Sequence, residues 1–297
     1  MPRDAAALLA LLDLERIDDN LFRGAMEPSS LPRVFGGQVA AQALVAGTRT
    51  VDPAYAVHSL HSYFLQPGDP AARIVYDVET LRDGRSFSTR RVLARQHGRP
   101  IFALTANFQV AEDGWDHHDV MPTVPSPEDS LDPRRVLAEL YPDRDTSGDS
   151  EWDVADLRYV GSSGDGLLAP GPEHPALQRC WLRVSSALPD DPFLHVAAFT
   201  YLSDMTLMGA ALAPHGARPE DGTHLIASLD HAIWFHRPFR ADEWWLYDQT
   251  SPWAGGGRGL VTAGVFTADG TLVATVAQEA LMRKFDPSRR PSRGDAS

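Results

Sequence analysis

The chain has 297 residues, 43% of them hydrophobic, which is enough for two domains of ordinary size that each bury a core. Its net charge of −13 disfavours nonspecific nucleic-acid binding. One cysteine, Cys180, excludes an internal disulfide and any multi-cysteine metal site, and points to a reducing, cytoplasmic compartment.

The first predicted element is the apolar run Ala5–Leu12. Asp13, Glu15 and Arg16 follow at once and no small-residue cleavage site appears, so it reads as an amphipathic helix and not as a signal peptide. No apolar run is long enough to span a bilayer, and the chain is read as soluble, with no membrane partner. Gly36–Ala46 is apolar on almost every face and is predicted to be a helix buried all round. Strands are predicted over Ala72–Leu81, Ser86–Gln96 and Arg99–Val110, with turns at Asp83-Gly84 and His97-Gly98.

Residues 1–112 form this first block. Residues 113–150, rich in Pro, Asp, Ser and Gly, read as a linker containing His117-His118 and a short helical pattern over Val136–Tyr141. A second block covers 151–285. Its helix starts at Asp191-Pro192, an N-cap followed by proline at the first helical position, and runs to about Ala213, before Pro214 and Gly216. Strands follow over Glu243–Thr250, Gly259–Phe266 and Thr271–Met282, with a turn at Asp269-Gly270. The tail, 286–297, is predicted to be disordered. Each block is thus one buried helix wrapped by an antiparallel sheet, an α+β architecture.

The blocks echo each other. Val57-His-Ser-Leu-His-Ser-Tyr-Phe-Leu-Gln-Pro67 matches Ser228-Leu-Asp-His-Ala-Ile-Trp-Phe-His-Arg-Pro238 at an offset of 171, with Tyr63 on Trp234, Phe64 on Phe235 and Pro67 on Pro238. A fixed offset of domain length signals one fold used twice. The copies differ in polarity: Ser228 stands opposite Val57, and Gln278 opposite Ala106. Chemistry is therefore expected in the second copy only.

Other constellations are weaker. Of the 27 basic residues 26 are arginine, and Arg82, Arg85, Arg90, Arg91, Arg95 and Arg99 fall in one hairpin-sized segment. That cluster is either a patch for a phosphate-bearing ligand, which the planar guanidinium suits, or a solvated strand face. Gly161-Ser-Ser-Gly164 lacks the spacing of a nucleophile elbow. His58 with His61, or His231 with His236, has no third ligand in a zinc pattern. Tyr63, Phe64, Trp234, Phe235 and Phe239 either line a ligand tunnel or pack a core.

Phe35-Gly-Gly-Gln38, Tyr63-Phe-Leu-Gln-Pro-Gly68, Gly84-Arg-Ser-Phe-Ser-Thr-Arg90, Tyr201-Leu-Ser-Asp204, Leu229-Asp-His-Ala-Ile-Trp-Phe-His-Arg-Pro-Phe239 and Gln278-Glu279 occur in this order. Through them the chain resembles the acyl-CoA thioesterase II (TesB-like) family of double hotdog proteins, from about Leu8 to Arg283. The resemblance implies two tandem hotdog domains with sheets joined side by side, hydrolysis of fatty acyl-CoA to free acid and CoA, no metal or organic cofactor, and assembly into homodimers or tetramers. It also implies a catalytic group of Asp204, Ser228 and Gln278 that binds and activates a water. Many relatives carry threonine where this chain has Ser228, whose hydroxyl lacks the β-branch that stiffens χ1.

The residues support these assignments on their own terms. Asp204, among Leu202, Met205, Leu207 and Met208, is expected mid-helix, where a buried carboxylate is costly unless hydrogen-bonded or functional. Gln278 follows the β-rich Leu272–Ala277, where a buried amide needs a partner and an outward-facing one does not. Asp204 is cast as general base, with Ser228 and Gln278 orienting the water. Gly36 and Gly37 are either oxyanion donors at a helix N-terminus or a tight helix entry. With Gln38, Arg85 and Arg90 they make the candidate substrate-binding set. Two rivals stand beside hydrolysis: an acyl-CoA hydratase or dehydratase, which wants a His–carboxylate dyad, and a non-catalytic acyl-CoA binder, which needs no water-activating set.

Overall fold

A computed structural model describes residues 1–135, 152–160, 174–217 and 224–284. The helical pattern predicted at Val136–Tyr141, the Gly161–Gly164 motif and the tail lie outside them. Among the described residues the strands β1 (Glu15–Asp18), β2 (Leu21–Arg23), β3 (Tyr55–Phe64), β4 (Val75–Asp83), β5 (Phe87–Gln96), β6 (Arg99–Val110), β7 (Ala155–Tyr159), β8 (Leu177–Val184), β9 (His224–Ser228), β10 (Asp230–Phe235), β11 (Trp245–Gly255), β12 (Arg258–Thr267) and β13 (Leu272–Lys284) form one sheet. Its order is β1-β2-β4-β5-β6-β3-β10-β13-β12-β11-β8-β7, with β9 also on β13. Every paired neighbour is antiparallel.

The two halves meet where β3 pairs with β10, Ser59 opposite Trp234 and Tyr63 opposite Asp230. The repeated segments therefore lie side by side at the middle of the sheet. The fold is the α+β double hotdog that the sequence predicts.

The helices α1 (Ala5–Leu12), α2 (Gly36–Thr48) and α3 (Pro192–Ser203) cover one face. Residues 37–47 of α2 are all buried, as an all-round apolar helix must be. Filling such positions stabilises by roughly 1.5–3 kcal/mol for each large side chain, Leu44 included. Two helix starts are capped by side chains: Asp4 Oδ1 accepts the Ala7 N–H at 2.8 Å, and Asp191 Oδ1 accepts that of Phe193 at 2.9 Å. The start of α2 is different. Its N-cap is Phe35, without a side-chain hydrogen bond, so the first N–H groups look for partners elsewhere.

The predicted second helix needs correction. It ends at Ser203, and Asp204 is its C-cap at φ −85°, ψ −3°. A turn, the short helix α4 (Gly209–Leu212) and a 3₁₀ segment Ala213–His215 follow, closing at Gly216 with φ +66°. The Tyr247 hydroxyl donates to the Ser203 carbonyl at 3.0 Å, which occupies an acceptor that a continuing helix would use. Asp204 is thus at a helix end and not in a helix interior.

Gly37 lies so close to the Tyr201 carbonyl that no Cβ fits between them. The start of α2 therefore packs on the end of α3, and the helices run antiparallel, bringing an N-terminus to Asp204.

Candidate active site

Ser228 is the last residue of β9, and β10 begins two residues later. Both strands pair with β13, but the register slips between them: Ser228 faces Ala280, whereas Ala232 faces Ala277. The slip is a bulge, in which the Asp230 carboxylate takes the Glu279 N–H at 2.6 Å. In a regular strand residues 228 and 231 would face opposite sides of the sheet. The extra residue turns both toward α3.

The same device recurs in the first half, where a register shift between Val57 and Ser59 leaves Val57 and Leu60 both buried. Leu60 is paired with Ala106, at the places that His231 and Gln278 hold in the second half. Here Val57, Leu60 and Ala106, which stand for Ser228, His231 and Gln278, are all apolar.

In the second half the polar groups connect. Ser228 Oγ donates to Asp204 Oδ1 at 3.0 Å, and Gln278 Nε2 donates to Ser228 Oγ at 3.0 Å. The Gly37 backbone N–H lies on the side of the Asp204 carboxylate and favours its charged form. Asp204 is half-buried, and Gln278 is buried. Burial raises the Asp204 carboxyl above its ordinary value, opposed by His231, by the Ser228 and Gln278 side chains and by the Gly37 N–H. A carboxyl raised in this way is a stronger base than a free one, which suits it to accept a proton and return it.

These three residues border a cavity of about 660 Å³. Its apolar wall includes Val39, Phe64, Ile101, Phe102, Met205 and Ile226, and its rim carries Asp132, Arg134, Asp153 and Arg158. Two ion pairs cross the rim, Arg134–Asp153 at 3.0 Å and Arg158–Asp132 at 3.7 Å. The volume and the apolar wall suit an acyl chain, with Asp204, Ser228 and Gln278 as polar groups on that wall.

Of the aromatic residues weighed as tunnel lining, Phe64 alone borders this cavity. Phe235 and Phe239 pack on Phe199, Trp234 stacks edge-on against His61, and Tyr63 is 63% exposed. Gly36 borders the cavity and Gly37 does not, so the pair of expected oxyanion donors is divided.

The remaining substrate-binding candidates lie apart from the cavity wall. Gln38 is buried and donates to the Ala25 carbonyl, holding the segment before α2. Arg90 is 3% exposed, bonded to the Thr50 hydroxyl and carbonyl at 2.9 Å each and paired with Asp83 at 2.8 Å. Its donors serve the end of α2. Arg85 is exposed in the β4–β5 turn and does not line the cavity.

In the sequence His231 stands only in a family motif and in a histidine pair without a third ligand; in the structure its Nδ1 lies 2.5 Å from Gln278 Oε1. Its i+3 spacing from Ser228 hid this contact, because the bulge is not visible in the sequence. His236, its supposed partner, contacts Thr275 at 2.8 Å. Among the described residues no three His, Cys, Asp or Glu side chains gather as metal ligands, and no helix is long and apolar enough to cross a membrane. Burial pushes the Cys180 thiol up to about 12, which makes it a poor nucleophile.

Known proteins share this arrangement of domains. Residues 26–109 match the family model of the acyl-CoA thioesterase N-terminal domain, and residues 137–282 that of the acyl-CoA thioesterase C-terminal domain. Acyl-coenzyme A thioesterase 8 of Homo sapiens is 40% identical over 294 residues, covering 95% of this chain and 91% of that protein. Acyl-CoA thioesterase 2 of Haemophilus influenzae is 39% identical over 282 residues, covering 93% and 96%. The crystal structure of acyl-CoA thioesterase II TesB2 from Mycobacterium marinum superposes with a TM-score of 0.79 at 47% identity, covering 93% of this chain and 98% of that one. With both halves matched in order and the relatives covered nearly end to end, the chain belongs to the acyl-CoA thioesterase family.

Proposed function

We propose that this protein hydrolyses acyl-CoA thioesters to the free acid and CoA with a water held by Asp204, Ser228 and Gln278. The observation that carries the reading is the joined Asp204–Ser228–Gln278 set on the wall of an apolar cavity. As the water oxygen bonds to the thioester carbon, its proton passes to the Asp204 carboxylate. The tetrahedral oxyanion collapses, the C–S bond breaks, and Asp204 returns the proton to the departing CoA sulfur. Gln278 has a second amide N–H beyond the one given to Ser228, and we assign it to the water. We assign the carbonyl oxygen to the Gly36 N–H, at the head of a helix whose N-terminus carries partial positive charge.

We place the site in the second domain, 151–285, and divide the chain there from a first domain, 1–112, by a linker, 113–150. The first domain contributes Gly36 and Gly37 and otherwise keeps a silent copy. We place the protein in the cytoplasm as a homo-oligomer without nucleic-acid or membrane partner; the single buried cysteine supports the compartment, and the acidic charge supports the absence of nucleic acid. Saturated and α,β-unsaturated acyl-CoAs, assayed side by side for free thiol and for hydration, test the reaction class. Thiol release without hydration supports hydrolysis; hydration without thiol release, or tight binding with neither, would replace it by one of the rivals.

A further inference from the structure

The amide of Gln278 can be placed in its pocket in two ways. In one, Nε2 faces Ser228 and Oε1 faces His231. The Ser228 proton is then free to go to Asp204, and an amide N–H is left for the water. In the other, Oε1 faces Ser228, claims that proton, and leaves Asp204 without its hydroxyl donor. The two are alike in shape and opposite in chemistry.

What decides between them lies behind Gln278. His231 is fully buried in β10, and its Nδ1 is 2.5 Å from Gln278 Oε1. Its Nε2 is 2.8 Å from Ser203 Oγ, the residue before Asp204. A neutral imidazole has one N–H. The Asp204 carboxylate can only accept, so Ser228 gives it its proton and takes the Gln278 N–H, which turns Oε1 toward Nδ1. Nδ1 must then carry the imidazole N–H, and the one Ser203 proton goes to Nε2 in place of the Thr200 carbonyl, its other acceptor at 3.0 Å.

Burial favours the neutral form that this requires. A closed circuit results: Asp204, Ser228, Gln278, His231 and Ser203, which is covalently next to Asp204. Ser62 Oγ, donating to the His231 carbonyl at 2.7 Å, fixes the backbone from the neighbouring strand.

From this geometry we infer that His231 is a positioning residue, which holds the Gln278 amide in the one orientation that lets Ser228 serve Asp204 and leaves an N–H for the water. The first half supplies an independent argument. Where Gln278 is replaced by Ala106, His231 is replaced by Leu60, and these two are directly paired across β3 and β6. The bulge is kept on both sides while the two polar residues are absent together, as expected if one has no use without the other.

The inference rests on the water-activating role given to Asp204, so the experiment measures both. Thiol-release kinetics are run on wild type, Asp204→Asn, His231→Leu, His231→Asn and Gln278→Ala, and on His231→Leu combined with Gln278→Ala. His231→Leu copies the residue that the first half tolerates, and is expected to lower kcat about 10- to 100-fold with KM within about twofold. His231→Asn restores an N–H near the Nδ1 position, and should recover at least roughly a third of the wild-type rate. In the Gln278→Ala background His231→Leu should change kcat less than about twofold, because the group it orients is gone.

A residue that only packs would instead cost the same with or without Gln278, and that outcome overturns the inference. So does a wild-type kcat in His231→Leu. If His231→Leu fails to fold, His231→Asn and His231→Gln replace it in the same cycle. The first keeps a donor near Nδ1 and the second does not, and equal rates from the two would overturn the inference. An active Asp204→Asn would sink the underlying reading itself; an inactive one beside an unaffected His231→Leu would sink only the role of His231.

Discussion

Gly36→Ala should inactivate the protein without unfolding it. A Cβ at this position would stand 2.5 Å from Asp204 Oδ2 and 2.9 Å from Phe64 Cε1, whereas ordinary contact begins near 3.4 Å. The carboxylate must therefore retreat by roughly 0.9 Å, which stretches its 3.0 Å bond with Ser228 beyond hydrogen-bonding range. A displacement near 1 Å at a reacting group costs about 100-fold in rate, or about 2.7 kcal/mol of barrier.

The fold has little to lose. Alanine is favoured over glycine by up to about 1 kcal/mol within helices, and the atoms it crowds are ends of side chains that can turn. Gly37→Ala is the contrasting case, since its Cβ would meet the Tyr201 backbone and force α2 and α3 apart. Thiol release on acyl-CoA, with a circular-dichroism melt of each variant, reads both effects. A Gly36→Ala protein with kcat within about threefold of wild type would refute the placement of Asp204 against the head of α2.

Gln278→Ala should lower kcat about 10- to 100-fold and leave KM nearly unchanged, since the amide binds water and not substrate; a purely KM effect would contradict this. The kcat–pH profile should be flat at neutral pH and fall on acidification, because only the carboxylate of Asp204 accepts a proton. Its raised pKa, coupled to His231, puts that limb above the ordinary carboxylate value of 3.8, and a limb at the ordinary value would speak against burial as the cause. Arg90→Met should destabilise by about 2–3 kcal/mol in urea, by leaving the Thr50 carbonyl unpaired. Its KM should stay at the wild-type value, and a raised KM with unchanged stability would restore Arg90 to substrate binding.

The sequence carried the helices and the second-copy asymmetry well, because both are written in polarity. Residues 37–47 are apolar but for Gln38 and Gln42, and Ser228 and Gln278 stand against Val57 and Ala106 without any knowledge of shape. Strands β5, β6, β12 and β13 were legible from alternation and from the glycines in their turns, Gly98 and Gly270, both with positive φ. Less legible were β1, fully exposed, and β8, whose alternation is blurred by the polar Gln178 on its buried face and by Trp181 buried on the other.

The end of α3 was misread because the hydroxyl that takes its carbonyl comes from Tyr247, 44 residues away. Arg90 looked like a ligand for phosphate because charge in a sequence does not reveal burial. His231 was passed over for a related reason. Its role depends on a one-residue bulge, and a bulge reverses the face of every later side chain while leaving no mark in composition.

The most direct test of the account is the turnover of Asp204→Asn. The amide keeps the size of the carboxylate but cannot take the proton of the attacking water, so kcat should fall by at least about 1,000-fold. The protein should melt no lower than wild type, because a carboxyl whose pKa is raised on folding subtracts stability at any pH where it is ionised. A folded Asp204→Asn that releases thiol from acyl-CoA at close to the wild-type rate would contradict the claim that this carboxylate activates the water.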